Sequence, residues 1–287
     1  MPFCKNRFTL SRFSFVGLFV LVPSIVSVEL SAQDTKDIQN PQVQKGSENS
    51  DQAEPQKSDA QPKQKKRKIP PVFQSIEDVA GLPRVLLIGD SISIGYTLQV
   101  RQGLKGKANV HRPPTNCGPT TKGLKGIEKW LGDKEWAVIH FNWGLHDLKY
   151  MGPNNENLAD PDDEKNHQQV PPAEYEKNLS LLVDRLKKTN AKMIWRNTTP
   201  VPERAKGRVA GDSIKYNAIA AKVMEQRDVA IHDPFGLVQP RMGELMLPNG
   251  DVHFKKSGSQ VLADDTIKTI LDAIKPESNE ETTPESK

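Results

Sequence analysis

The chain is poor in cysteine, in aromatic residues and in long apolar runs. Two cysteines, Cys4 and Cys117, occur in 287 residues, which excludes a disulfide-stapled scaffold and the cysteine clusters of zinc or iron–sulfur sites. Aromatic residues make up 6% and hydrophobic residues 36% of the sequence, and the mean hydropathy is −0.61, so part of the chain is not expected to pack. The one extended apolar run, from Phe13 to Val28, contains Pro23 and falls short of the roughly 20 residues that span a bilayer. The formal charge of +4 is small for this length. The densest basic cluster also lies outside the part that reads as folded, so no nucleic-acid partner is expected. Internal repeats are absent. So are paired histidines one helical turn apart beside a glutamate, the spacing that makes a metal motif specific.

What is present divides the chain into four parts. Lys5, Arg7 and Arg12 precede the apolar run, and Ser31-Ala32 supplies small residues before Gln33. This is the layout of a secretory signal peptide over residues 1–32, cleaved after Ala32, with an uncleaved anchor as the alternative. A secreted or periplasmic protein is therefore expected. Removing the leader leaves Cys117 alone, so the mature chain has no internal disulfide. Residues 33–70 are dominated by Gln, Asn, Ser, Asp, Lys and Pro and read as a disordered linker. The linker closes on Lys63-Gln64-Lys65-Lys66-Arg67-Lys68, a solvated end that would also attract an anionic envelope or polysaccharide. Residues 71–275 form the expected domain, and residues 276–287, rich in Glu, Ser and Thr, a disordered tail.

Within the domain, short apolar runs alternate with helical patterns. Strands are expected at Val85–Gly89, Ala108–His111, Ala137–Asn142, Lys192–Asn197 and Val229–His232. Helices are expected near Ile94–Leu104, Thr121–Leu131, Pro172–Lys188, Asp212–Arg227 and Ser257–Ile274. The helix from Pro172 is the clearest, with Tyr175, Leu179, Leu182, Val183 and Leu186 on one stripe and proline in its first turn. Five strands interleaved with helices imply a parallel sheet covered on both faces, a three-layer α/β/α domain. The polar segment Met151–Val170 would hang over the carboxyl edge of that sheet and line or lid a cleft.

Candidate chemistry falls at strand ends. Val85–Ile88 is uniformly apolar and stops at Gly89-Asp90-Ser91. A serine there is exposed where open α/β sheets bind ligands, beside the positive end of a helix. A helix-capping role for Asp90 or Ser91 is the plain alternative. Gly118 follows the second strand, Gly144-Leu145-His146-Asp147 the third, and Asp251-Val252-His253 precedes the last helix.

In this order and spacing the four segments resemble the blocks of the SGNH (GDSL-type) hydrolases, across essentially the whole expected domain. The resemblance implies a flavodoxin-like α/β/α fold with a five-stranded parallel sheet and serine ester hydrolase activity. It makes Ser91 the nucleophile, His253 the general base and Asp251 the residue that orients the imidazole. The oxyanion hole would be formed by the N–H groups of Ser91 and Gly118 and by the side chain of the third block. That block carries His146 where the family has asparagine. A neutral imidazole has one N–H to donate, and Asn142 or a backbone group is the alternative donor. Asp251 stands two residues before His253, where the family usually has a spacing of three. A backbone carbonyl, giving a dyad, is the alternative orienter.

No cofactor is implied. His140, His146, Asp147, His232, Asp233 and His253 lie along one sheet edge without metal-ligand spacing. Asp147 is expected to bond backbone at its turn, and Trp136, Trp143 and Cys117 to pack. The expectation is a monomeric esterase acting on a small-molecule or polysaccharide ester, with O-acetyl or O-acyl carbohydrate as substrate. An inactive glycan-binding module and an acyltransferase are the alternatives.

Overall fold

The computed structural model describes residues 68–275. The signal-peptide, linker and tail assignments outside that range lie outside the described residues. Among the described residues no helix is long and apolar enough to cross a membrane.

The sheet strands are β1 (Arg84–Ile88), β2 (Asn109–His111), β3 (Val138–Phe141), β6 (Lys192–Arg196) and β7 (Ala230–His232). The main helices are α1 (Ser91–Gly103), α2 (Thr120–Leu131), α3 (Pro172–Lys187), α4 (Asp212–Glu225) and α7 (Lys256–Ile274). Every sheet pairing is parallel, in the order β2-β1-β3-β6-β7. This is the flavodoxin-like winding expected from the sequence. α1 packs against α7, while α2, α3 and α4 pack in series. Strand order reverses between β1 and β3, the point beyond whose carboxyl ends open α/β sheets place their ligands.

The elements follow from burial. Val85, Leu86, Leu87 and Ile88 are all at most 2% exposed, because β1 is covered on both faces. The α3 stripe of Tyr175, Leu179, Leu182, Val183 and Leu186 is wholly buried, each large apolar side chain contributing about 1.5–3 kcal/mol.

Three features depart from the sequence reading. α1 begins at Ser91, a turn earlier than expected, because Asp90 caps it: its Oδ1 accepts the Ile92 N–H at 2.9 Å. The 151–170 segment is tied at both ends by a short antiparallel ribbon, β4 (Tyr150–Met151) with β5 (His167–Gln168). It is also less detached than its polarity suggests, since Val170 is fully buried and its carbonyl accepts the Tyr216 hydroxyl at 2.6 Å. Short helices α5 (Pro234–Val238) and α6 (Met242–Leu245) occupy a stretch to which the sequence pattern assigned no element.

Candidate active site

Ser91 is the first residue of α1, immediately beyond the β1 strand and its Gly-Asp turn. Its N–H has no intrahelical acceptor and lies at the positive end of the helix. The loop between β7 and α7 returns His253 to the same edge, and its Nε2 lies 2.9 Å from Ser91 Oγ. On the far side of the ring, Nδ1 lies 2.7 Å from Asp251 Oδ1, which also accepts the His253 backbone N–H at 2.9 Å. Three residues from opposite ends of the domain thus form one hydrogen-bonded chain. Nδ1 bonded to a carboxylate carries the proton, which leaves Nε2 free to accept one from the serine hydroxyl. Burial pulls the Asp251 pKa upward, but the N–H and ring of His253 and the charges of His253 and Arg208 hold it below the ordinary value. The short Asp–His spacing is accommodated because this two-residue arc brings the carboxylate back onto the ring.

Gly118, one residue past the buried Cys117, has φ of +61°, a conformation that disfavours any side chain. The Cys117 N–H donates to the Gly89 carbonyl at 3.2 Å, which holds this loop against the β1–α1 turn. The Gly118 N–H itself donates to Asn116 Oδ1 at 2.9 Å, so this proposed oxyanion donor is satisfied internally in the present state. His146 is half-buried, and its ring makes no side-chain hydrogen bond among the described residues. Burial lowers its pKa, opposed by Asp90 and reinforced by Lys149, Arg208 and Lys122, so the ring is neutral and has one N–H to give. The other candidate donor, Asn142, is already spent on the Arg196 carbonyl at 2.7 Å and Thr198 Oγ1 at 3.2 Å. Gly144 has to be glycine, because a Cβ there would stand 2.0 Å from Thr198 Oγ1.

No family model matches the chain, and no curated protein matches it by sequence. Solved structures do match. A lipase/acylhydrolase from Enterococcus faecalis superposes with a TM-score of 0.52 at 19% identity, covering 68% of this chain and 99% of that one. The acetyl xylan esterase AlAXEase gives 0.51 at 16% identity, over 65% and 99%. A variant of Axe2, an acetyl-xylooligosaccharide esterase from Geobacillus, gives 0.50 at 16% identity, over 66% and 94%. The chain has the fold of these esterases and acylhydrolases.

Three residues that the sequence reading passed over, or placed only at a turn, fasten the loops of this fold to one another. Asp147, fully buried, accepts the Thr120 N–H at 2.8 Å and the Thr120 hydroxyl at 2.6 Å, joining the third block to the start of α2. Its Oδ2 has no partner, and burial raises its pKa to about 7. Arg208 donates from Nε to the Leu145 carbonyl at 3.1 Å, joining the third block to the 204–210 loop. That loop in turn packs on Gly250, whose Cβ position would meet the Arg204 carbonyl. Arg112 joins the first block to the second.

The remaining titratable residues are elsewhere. His140 Nε2 lies 3.0 Å from His232 Nδ1, and His232 Nε2 lies 2.6 Å from Asp265 Oδ2, a chain inside the core on the α7 side. Asp233 accepts from Asn197 Nδ2 at 2.9 Å. Among the described residues no three His, Cys, Asp or Glu side chains converge as metal ligands. Trp143 and Trp136 are buried. Burial of Cys117 pushes its thiol up to about 11, which makes it inert as a nucleophile at neutral pH.

Proposed function

We propose that the chain is a serine esterase that hydrolyses O-acetyl or O-acyl esters of carbohydrate through an acyl-enzyme, and that it works outside the cytoplasm. The hydrogen-bonded chain Ser91–His253–Asp251 carries this reading. His253 Nε2 takes the Ser91 proton as Oγ attacks the ester carbonyl. The oxyanion that forms is met by the Ser91 N–H and by His146, with the Gly118 N–H joining when Asn116 releases it. The intermediate collapses as His253 returns the proton to the leaving alcohol. Water then repeats the sequence on the acyl-serine, and Asp251 holds the imidazolium throughout.

The carbohydrate assignment is supported by what neighbours of the same fold act on. Two of the structural neighbours are esterases of acetylated xylan or xylooligosaccharide. The leader over residues 1–32 supports export.

A fluorophosphonate probe tests the reaction class: Ser91 is labelled in the wild type and Ser91→Ala is not. Acetate release from acetylated oligosaccharides, set against a long-chain p-nitrophenyl ester, tests the substrate class. A folded protein that resists labelling is a glycan-binding module instead. Acetate that appears on an added acceptor rather than in solution marks an acyltransferase.

A further inference from the structure

Arg112 lies one residue beyond β2 and is 8% exposed. A guanidinium buried this deeply costs several kcal/mol unless its donors meet acceptors. None of its hydrogen bonds goes to a carboxylate. Nε donates to the Pro113 carbonyl at 3.3 Å, and Nη1 to Thr97 Oγ1 at 2.9 Å and Ser93 Oγ at 3.3 Å. Nη2 donates to the Thr115 carbonyl at 3.2 Å and the Gly89 carbonyl at 3.4 Å. The Phe73 ring lies 5.5 Å from the guanidinium carbon.

These acceptors come from two places. Gly89, Ser93 and Thr97 belong to the β1–α1 turn and the first two turns of α1, which carry Ser91. Pro113 and Thr115 belong to the loop that ends in Gly118. One rigid, planar fork therefore spans the two backbone segments whose N–H groups would face the oxyanion. The Gly89 carbonyl is shared, since it also accepts the Cys117 N–H from that same loop. Lysine could match the charge but not the fork, because its ammonium is a point donor on a flexible stem.

We propose that Arg112 is a positioning residue for the oxyanion hole, fixing the Gly118 loop relative to the Ser91 N–H. The proposal rests on the esterase reading above. The test compares the full chain with Arg112→Lys, Arg112→Gln and Arg112→Ala. Readouts are melting temperature, the rate of fluorophosphonate labelling at Ser91, and kcat and KM for p-nitrophenyl acetate. The expected result is that the variants fold and KM stays near the wild-type value. Labelling rate and kcat fall together by about 10²-fold, the penalty of a misplaced reacting geometry, and lysine does not restore them. Added guanidinium, at millimolar concentration, restores part of the rate to Arg112→Ala and none to Ser91→Ala. Folded variants with wild-type labelling, a loss confined to KM, or failure of all three variants to fold would overturn the proposal. A folded wild type that is never labelled sinks the esterase reading and this proposal with it. A labelled wild type with unaffected variants sinks the Arg112 proposal alone.

Discussion

Asp147 offers a test of the site's electrostatics that needs no substrate. Its carboxyl is fully buried, Oδ1 takes both bonds from Thr120, and Oδ2 has no partner. Burial lifts its pKa to about 7 from 3.8 in the unperturbed residue. The folded state therefore holds this proton more tightly than the unfolded chain does. Stability is fully present below about pH 4 and is lost as pH rises towards about 7. The gap corresponds to a destabilisation of at most about 4 kcal/mol above neutrality. Asp147→Asn keeps an acceptor for Thr120 and removes the titration. Its amide NH2 then occupies the unpartnered position at a cost of about 1–3 kcal/mol that does not vary with pH. The quantity to measure is the difference in unfolding free energy, variant minus wild type, by denaturant titration from pH 4 to pH 8.5. His140 and His146 titrate in both proteins and cancel to first order. The difference should rise with pH, in favour of asparagine, over the interval between 4 and 7. A flat difference, or one that falls with pH, would refute the account of Asp147 as a carboxyl kept protonated by burial.

Three further outcomes are expected. His146→Leu should cost about 2.7–4 kcal/mol in the chemical step while His146→Asn keeps much of the activity; equal, near-normal rates in the two variants would remove His146 from the oxyanion hole. Burial lowers the pKa of His140 well below its ordinary value, so the unfolded chain gains a proton that the folded state refuses as pH drops below about 6.5. His140→Phe should therefore lose less stability between pH 7 and pH 5 than the wild type, measured by chemical unfolding. Cys117 should resist iodoacetamide in the folded protein at pH 8 and react after denaturation, and rapid modification of native protein would contradict its burial.

The fold was legible where burial is uniform. Val85–Ile88 could only be an interior strand, and the Tyr175–Leu186 stripe could only face a core. Ser91, Asp251 and His253 could be grouped in advance because each stands beside a strand or helix end, and the structure brings the three within hydrogen-bond distance of one another. The structure replaced the doubt about Asp–His spacing with a distance. It also complicated Gly118, whose N–H is taken by Asn116. An asparagine two residues before a glycine is an Asx-turn signal that could have been read. Arg112 and Arg208 were not legible. A lone arginine in a proline-flanked loop looks solvated, and only the folded chain shows which carbonyls it reaches from residues distant in sequence. β4 and β5, two residues each, are too short to leave a periodicity.

The double acceptance by Asp251 has a mechanical consequence. Because one carboxylate oxygen holds both the ring and the backbone N–H of His253, the Asp251–His253 half of the candidate site is closed within three consecutive residues. Both of these hydrogen bonds are local in sequence. The serine belongs to a segment more than half the chain away and meets the imidazole only when the β1–α1 turn and the loop before α7 are brought together. The site is thus a prefabricated part on one side and a tertiary joint on the other. Under mild denaturation the joint should open first, leaving an oriented histidine without its serine partner.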